Sequence, residues 1–370
     1  MSRPTVAEIN LLALKKNVKK LKKITRSKIY PVVKANAYGH GLKRVIETIN
    51  AYISGYCVAT FEESIELRRL TSKSVVCMEG PYNLEELKNL EKLNIDYVIH
   101  SNRQISFLEE IKSSDLSGNN KIWLKIDTGM NRLGFKGNEI LKAFTKINSS
   151  KKKIVLMSHF SSASANTKAK KQSNKQIKLF KKYESKLKKI KPNLISSLCN
   201  SGGLINFKNS HMGISRPGIS IFGCQEDSGK SSLDLEQVMT LKSKFISIKK
   251  VQKGELVGYE GTWRAKKDTT VGILPIGYAD GYPTGMGNSA YVLVDNKKAK
   301  VIGRVSMDLT AVDLSRCVQA NFNSEVILWG SNLKIDKVAK FSNTISYELM
   351  TSLSKSCLLY TSDAADDVIS

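Results

Sequence analysis

The sequence lacks the patterns that indicate a metal centre, a disulfide framework or a membrane-spanning protein. Its 370 residues include six cysteines, but these form no Cys-x-x-Cys pair and no metal-ligand spacing. Several cysteines lie in apolar runs, where a thiol packs as a small hydrophobic group. No apolar stretch is long enough to cross a bilayer, and Arg3 and Glu8 near the start predict no signal peptide. We therefore expect a cytoplasmic protein without a membrane partner.

The charge is mostly of one sign, but the motifs of a nucleic-acid-binding surface are missing. The formal net charge is +26 at pH 7, a value that raises the question of nucleic acid. The lysines are spread along the whole chain, without zinc-finger spacing or interleaved aromatic residues. In residues 166–190, for example, Ile177, Phe180, Leu187 and Ile190 predict one buried helix face, and lysines cover the remainder. We interpret the excess charge as solvated helix faces and expect no nucleic-acid partner.

Short apolar segments recur along the first 225 residues, usually with an amphipathic helical pattern between them. The predicted strands are residues 29–33, 55–59, 74–78, 95–99, 121–126, 154–158, 195–199 and 218–222. Strands that alternate with helices in this number predict an α/β fold, a (β/α)8 TIM-type barrel.

The pattern changes after residue 225. A polar linker over residues 226–232 leads into strand-like runs with almost no helix between them. These runs are residues 245–251, 269–276, 291–294, 299–305 and 326–329, and one helix over 336–354 follows them. We predict a barrel domain over residues 1–230 and a mostly antiparallel β domain over 231–355. Residues 356–370 form an atypical tail, either a solvated end or a segment that is not native to this gene.

The stretch from Tyr30 to Gly41 is the most informative in the chain. A buried strand is predicted to end on Lys34, and a polar turn that contains two glycines follows. A lysine at the end of a buried strand either extends to solvent or loses its charge, because desolvation disfavours the ammonium. A desolvated lysine is suited to Schiff-base chemistry, although a solvated lysine is the alternative.

Other strand ends of the predicted barrel supply further polar groups, since the active site of this architecture lies at the carboxyl ends of the strands. Ser201 with two following glycines, and the amides of Gly218 and Ile219, suggest a phosphate site after strands 7 and 8. Together with Lys34, a phosphate site suggests pyridoxal phosphate, whose pyridine nitrogen Arg216 could then face. His159 follows the sixth strand, where a core histidine without a catalytic role is the more frequent case.

Eight motifs in order carry a close resemblance to the alanine racemase family of pyridoxal-phosphate enzymes, over about residues 3–355. They are Arg3-Pro-Thr-Val-Ala-Glu-Ile-Asn10, Val33-Lys34-Ala-Asn-Ala-Tyr38-Gly-His-Gly41, Lys125-Ile-Asp-Thr-Gly-Met-Asn-Arg132-Leu-Gly134, Met157-Ser-His159-Phe160, Arg216-Pro-Gly218-Ile219, Gly258-Tyr259, Gly277-Tyr278-Ala-Asp-Gly281-Tyr282 and Gly303-Arg304-Val-Ser-Met307-Asp308. The family fold, a barrel followed by a β domain, agrees with the strand count.

The resemblance implies two catalytic bases. Lys34 would form the internal aldimine and act on the D-alanine face, and Tyr259 would remove the proton of L-alanine from the opposite face. Inversion needs an acceptor on one side of a planar carbanion and a donor on the other. His159 would bond the tyrosine and contact Arg216, whose guanidinium does not readily protonate the ring nitrogen.

The resemblance also implies binding roles. Arg132 would hold the cofactor's phenolic oxygen and the substrate carboxylate, and the Met307 N–H would bind the same carboxylate. Lys125 matches a lysine that is carbamylated in some members. The phosphate contacts would be Tyr38, Ser201, Gly218 and Ile219.

The function implied is the interconversion of L-alanine and D-alanine, which supplies D-alanine for peptidoglycan. In the family, the residues that match Tyr259 and Met307 enter the partner's active site, so we expect a head-to-tail homodimer. A racemase for serine, lysine or several amino acids is the alternative within this chemistry, since a methylene changes binding by only ~1–3 kcal/mol. A non-catalytic pyridoxal-phosphate-binding protein is the alternative of another class. Family members also continue with an Arg- and Pro-containing strand where this chain has Ser356-Cys-Leu-Leu-Tyr360, so the last β strand is expected to be missing.

Overall fold

A computed structural model describes residues 3–116, 118–150, 152–225, 233–354 and 358–362. Its first sheet has eight parallel strands, and each pairs with two neighbours except Lys28–Ile29 and Gly55–Val58, which lie at the two ends of the sheet. In chain order they are Lys28–Ile29, Gly55–Val58, Ser74–Cys77, Asp96–Ile99, Lys121–Lys125, Lys153–Met157, Ile195–Ser197 and Ile214–Ser215. A bridge between Val32 and Cys57 joins the two ends of the sheet, where the Val33 N–H donates to the Cys57 carbonyl at 2.9 Å. The predicted barrel is therefore confirmed.

Helices alternate with the barrel strands and bury one face each. They are Leu11–Lys23, Leu42–Ile49, Phe61–Leu70, Leu84–Lys92, Asn102–Glu110, Glu139–Asn148, Thr167–Ile190 and Ser201–Asn206. The short segment Lys34–Gly39 between the first two is a left-handed turn. In Thr167–Ile190 the predicted face is confirmed for Phe180 and Leu187, which are fully buried. It is wrong for Ile190, which is 59% exposed because the helix ends there and no following turn covers it.

The eighth barrel strand lies earlier in the chain than predicted. Ile214–Ser215 forms the strand, and the predicted segment 218–222 contains the 3₁₀ helix Ile219–Phe222 instead. All four residues of that helix are buried. A short apolar run indicates burial but does not separate a strand from a buried helical turn.

The second sheet has nine strands and forms the predicted β domain. In spatial order they are Ser247–Val251, Thr269–Leu274, Thr310–Asp313, Lys297–Ile302, Tyr291–Val294, Val326–Trp329, Met239–Ser243, Val6–Asn10 and Leu358–Ser362. All neighbours are antiparallel except the last pair. A separate hairpin pairs Leu256–Val257 with Trp263–Arg264. The mostly antiparallel character is confirmed.

Both ends of the described chain enter this second sheet. Val6–Asn10 pairs with Met239–Ser243 on one side and with Leu358–Ser362 on the other, so the segment before the barrel belongs to the nine-stranded sheet. The expectation that the last β strand is missing is wrong, because Leu358–Ser362 forms a strand that pairs in parallel with Val6–Asn10. The predicted linker over residues 226–232 lies outside the described residues, as does most of the predicted tail. The predicted domain limits stay a prediction.

The single helix predicted over residues 336–354 is two helices, Ile335–Phe341 and Ser346–Thr351. Asn343 between them has a φ of 52°, and one left-handed residue is sufficient to end a right-handed helix. The second helix lies against the turn after Lys34. A Cβ on Gly39 would approach the Met350 carbonyl oxygen to 2.2 Å, so only glycine permits this contact.

Cys57, Cys77, Cys199 and Cys317 are free, buried thiols. Cys357 lies outside the described residues. Within the described ranges, none of the helices combines the length and the apolarity needed to cross a bilayer.

Candidate active site

Lys34 lies at the carboxyl end of the barrel, at the start of an unusual turn. Val32 and Val33 are buried, but Lys34 itself is exposed in this chain. The expectation of a desolvated Lys34 is therefore wrong for the single chain, because the strand stops at the barrel rim and the lysine follows it. The residues from Ala35 to Tyr38 follow in a left-handed turn.

A group of cations surrounds His159 at the same end of the barrel. Burial lowers the pKa of His159 to about 3, and the positive charges of Arg216, Lys125, Arg132 and Lys34 lower it further. The imidazole is therefore neutral at pH 7. Candidate residues that follow four different barrel strands therefore lie close enough to interact electrostatically.

Lys125 is the most perturbed lysine of this group. It is the last residue of its strand and is 8% exposed. Burial, followed by the charges of Arg132 and Arg216, lowers its pKa to about 8, and Asp127 opposes the shift. A substantial fraction of Lys125 is therefore an uncharged amine near neutral pH.

Arg216 is held by the barrel wall. Its side chain is 2% exposed, Nη2 donates to the Ser158 carbonyl at 2.6 Å, and Nη1 donates to Ser197 Oγ. Burial lowers the pKa of the guanidinium. Because two strands fix both ends of the planar group, Arg216 presents a rigid cation inside the barrel.

The segment that carries Arg132 is organised by one carboxylate. Asp127 Oδ1 accepts the N–H groups of Gly129, Met130 and Asn131 at 2.8 to 3.1 Å. The loop returns to the strand through the Phe135 N–H, which donates to the Lys125 carbonyl at 3.0 Å. The sequence indicated Arg132, but the structure adds Asp127 as the group that sets the loop.

The predicted phosphate residues form a second group beside these cations. Ser201 begins the helix Ser201–Asn206, and its Oγ accepts the Gly218 N–H at 2.9 Å and the Ser220 N–H at 3.2 Å. Ser201 lines a cavity of about 220 Å³ together with Ile219. The structure therefore brings Ser201, Gly218 and Ile219 together, with Gly218 already bonded to the serine.

Tyr347 belongs to this cavity, and the sequence analysis missed it. It lines the cavity beside Ser201, and its ring centroid lies 5.8 Å from that of Tyr38. Tyr38 is buried, and burial raises its pKa. Tyr347 comes from the far end of the chain, so no local pattern identifies it; its aromatic side chain within the predicted last helix was the one available signal.

Tyr259 and Met307 lie elsewhere, on the surface of the β domain. They are 68% and 57% exposed and line one cavity of about 890 Å³. Tyr278 borders the same cavity, as does Glu260, which forms an ion pair with Arg304 at 2.7 Å. The structure thus separates the predicted site residues into a barrel group and a β-domain group.

The backbone around Met307 is held by Arg3, Asp280 and Ala279. These residues belong to the sequence motifs, but the sequence analysis assigned no role to them. Arg3 Nη1 and Nη2 each donate to an Asp280 carboxylate oxygen at 2.7 Å, and Arg3 Nη2 donates to the Asp308 carbonyl at 3.3 Å. The Ala279 N–H donates to the Met307 carbonyl at 2.9 Å. A Cβ on Gly277 would lie 2.5 Å from Met307 C, so the two loops pack backbone against backbone.

The chemistry available to the barrel group follows from its charges. Buried arginine, lysine and neutral histidine can bind an anionic, planar ligand, and Ser201 still has a hydroxyl proton to donate after accepting from its neighbours. The β-domain group offers a phenol and a loop backbone on an exposed surface. Neither group alone combines a phosphate cradle with acid–base residues on two sides of a ligand.

Family models match nearly the whole chain. The model of the alanine racemase N-terminal domain matches residues 9–226, and that of the C-terminal domain matches residues 238–359. An alanine racemase from Actinobacillus succinogenes is 38% identical over 357 residues, which is 95% of this chain and 97% of that protein.

Solved structures agree with these matches. The structure of alanine racemase from Acinetobacter baumannii has a TM-score of 0.88 at 32% identity, covering 97% of this chain and 100% of that one. The biosynthetic alanine racemase from Pseudomonas aeruginosa has the same score and identity and covers 98% and 100%. The resemblance drawn from eight motifs therefore extends over both sheets.

Proposed function

The chain belongs to the alanine racemase family, and from this premise we propose that it interconverts L-alanine and D-alanine. The family depends on pyridoxal phosphate. The observation that carries the proposal is the convergence of Lys34, Lys125, Arg132 and Arg216 on His159 at one end of the barrel. The product would supply D-alanine for peptidoglycan.

The residues present fit pyridoxal phosphate. The cavity beside Ser201 is bordered by Asn200, Gly202 and Tyr347, a set without an acidic side chain that would repel a phosphate. Ser201 would donate its hydroxyl proton, and a phosphate would compete with it for the Gly218 N–H. Tyr38, whose hydroxyl lies close to Gly218, completes this set with Ile219. Lys34 would hold the aldehyde end.

When bound, the cofactor supplies an electron-withdrawing ring that makes the α-proton of an amino acid acidic. Lys34 Nζ would then take or deliver the proton on one face of the substrate. The Tyr259 hydroxyl would do so on the other, and inversion requires both. A neutral His159 can accept a hydrogen bond from that hydroxyl.

Arg216 and Arg132 would set the selectivity of the reaction. Arg216 would face the pyridine nitrogen, and a guanidinium keeps its proton, so this arrangement disfavours transamination. Arg132 and the Met307 N–H would bind the substrate carboxylate. Lys125 offers an uncharged amine, which is the form that adds CO₂ with loss of a proton, and we propose that it is carbamylated and orients Arg132.

We also propose a head-to-tail homodimer with shared active sites. The exposure of Lys34, Tyr259 and Met307 in one chain supports this arrangement, because acid–base groups of an enzyme act in sites from which water is excluded. A second subunit would cover the exposed lysine with the exposed tyrosine. The free thiols of Cys57, Cys77, Cys199 and Cys317 support a cytoplasmic location.

A direct assay tests the proposed activity. The purified protein is incubated with pyridoxal phosphate and L-alanine, and D-alanine is measured by chiral chromatography. Formation of D-alanine supports the proposal. Its absence, with racemisation of serine or lysine under the same conditions, would support the broader-specificity alternative; absence with all three would contradict a racemase.

A further inference from the structure

The backbone immediately after Lys34 has a conformation that L-amino acids rarely adopt. Ala35, Asn36, Ala37 and Tyr38 have φ between 51° and 55° and ψ between 40° and 57°, so four consecutive non-glycine residues are left-handed. In this region the Cβ crowds the following carbonyl oxygen, and such residues normally occur singly. A turn of this kind persists only where the surrounding structure holds it.

Most of the bonds that hold the turn are local. The Ala37 N–H donates to the Val33 carbonyl at 3.0 Å, Asn36 Oδ1 accepts the Leu42 N–H at 2.7 Å, and His40 Nδ1 lies 2.9 Å from the Tyr38 carbonyl. None of these bonds reaches the peptide that joins Lys34 to Ala35. That peptide decides the direction in which the Lys34 side chain leaves the backbone.

Glu63 reaches this peptide from another element. Its Oε1 accepts the Ala35 N–H at 2.7 Å, although the two residues are separated by 28 positions. Its Oε2 accepts the Ala59 N–H at 2.8 Å at the end of the neighbouring barrel strand. One carboxylate thus joins the segments that follow two adjacent barrel strands.

The simpler interpretation is that Glu63 only caps its own helix. It is the third residue of Phe61–Leu70 and forms a capping box with Thr60. The box uses Oε2 alone, which leaves the Oε1 bond to Ala35 without a role in capping. Glu139 shows the ordinary case: among the described residues its carboxylate accepts only the Lys136 N–H, just before its own helix, at 3.1 Å.

We propose that Glu63 is a positioning residue for Lys34, which holds the left-handed turn so that Nζ reaches the cofactor and the substrate. The proposal rests on the proposed function, in which Lys34 is the reacting amine. Glu63 does not touch substrate in this role. It acts by fixing the peptide after Lys34, and a displacement of about 1 Å at a reacting group lowers rates by as much as ~10²-fold.

The test compares the holoenzymes of the wild type, Glu63→Gln and Glu139→Gln. Glutamine has one acceptor oxygen, so Glu63→Gln cannot serve both Ala35 and Ala59. We expect kcat to fall about 10- to 100-fold while KM for alanine changes by less than about 2-fold. Hydrogen–deuterium exchange, measured without substrate, should rise in residues 34–38. Glu139→Gln should match the wild type in both measurements.

A double variant separates positioning from a merely structural role. Glycine adopts left-handed φ without the Cβ penalty, so Ala35→Gly in the Glu63→Gln background should lower exchange in residues 34–38 and recover part of kcat. A variant Glu63→Gln with a lower melting temperature but unchanged kcat and exchange would overturn the proposal. If the wild type formed no D-alanine, the proposed function would fail, and the exchange comparison would still decide whether Glu63 holds the turn.

Discussion

At the carboxyl end of the barrel, Lys125 is 8% and Arg216 2% exposed, whereas Tyr259 and Met307 on the β domain are 68% and 57% exposed. Residues of the same chain bury Lys125 and Arg216, and this burial lowers the pKa of both side chains. The backbone of Tyr259 and Met307 is well defined, but the described residues of the same chain leave both side chains largely uncovered. The barrel residues are therefore packed within one chain, whereas the β-domain residues need a partner to be buried. We expect the β-domain group to face another subunit.

The largest effect should follow from removing the exposed lysine of the barrel group. Lys34→Ala leaves no amine to hold the cofactor or to act on one face of the substrate, so racemisation should fall at least ~10⁴-fold in the alanine assay. Lys43→Ala, a change of another exposed lysine on the following helix, should leave the rate within about 2-fold of the wild type. Comparable losses in both variants would contradict a specific role for Lys34.

Subunit complementation tests whether the two groups meet across a dimer. Lys34→Ala and Tyr259→Ala chains are co-expressed with different tags, and the heterodimer is purified. If each active site combines one chain's barrel with the other's β domain, one of the two sites regains both bases. The purified heterodimer should then show about half of wild-type activity. Activity no higher than that of the separate variants would contradict shared sites.

A smaller effect is expected at the ion pair that orders the β-domain loops. Asp280→Asn weakens the bidentate contact with Arg3, so the Met307 backbone should be less well placed. We expect KM for alanine to rise about 10-fold with kcat within about 2-fold, because the carboxylate contact serves binding. Asp268→Asn, at an exposed aspartate of the same domain, is the control and should change neither constant.

The smallest effect concerns the buried charge of Lys125. Its folded-state pKa of about 8 lies below the value of 10.5 for an unperturbed lysine. Between these values the unfolded chain binds more protons, so the contribution of Lys125 to stability rises with pH. Below pH 8 Lys125 is charged in both the folded and the unfolded state, and burial of this charge then lowers the free energy of unfolding by its full amount. In CO₂-free buffer, where the amine is not carbamylated, Lys125→Met should therefore unfold with a free energy about 1–3 kcal/mol higher than the wild type at pH 7.

Urea denaturation at two pH values checks this prediction. The difference between Lys125→Met and the wild type should decrease towards zero as the pH rises to 10.5, where both folded and unfolded lysines lose their protons. Titrating groups that do not interact with Lys125 affect both proteins equally. A stability difference that did not change with pH would mean that packing, and not charge, distinguishes the variants.

The elements that the sequence predicted well are those with a strong local pattern. The β-domain strands Tyr291–Val294 and Val326–Trp329 have the predicted bounds, and the helix Thr167–Ile190 begins one residue after its cap Asn166. The two strands are apolar runs with β-branched residues, each followed by a turn, and the helix has a periodic apolar face. The segment 218–222 is also a short apolar run, and such a run is compatible with a strand or with a buried helical turn.

The amino-acid sequence by itself determined the order of strands and helices and the residue types at the strand ends, because periodicity and motif spacing are properties of neighbouring residues. Only the tertiary structure decided that Glu63 bonds to the turn after Lys34, that Tyr347 lines the cavity beside Ser201, and that Tyr259 is exposed. These features depend on contacts between residues far apart in the chain. The left-handed turn is the clearest case, since its local preference is unfavourable and bonds to Glu63 and close contact at Gly39 support it.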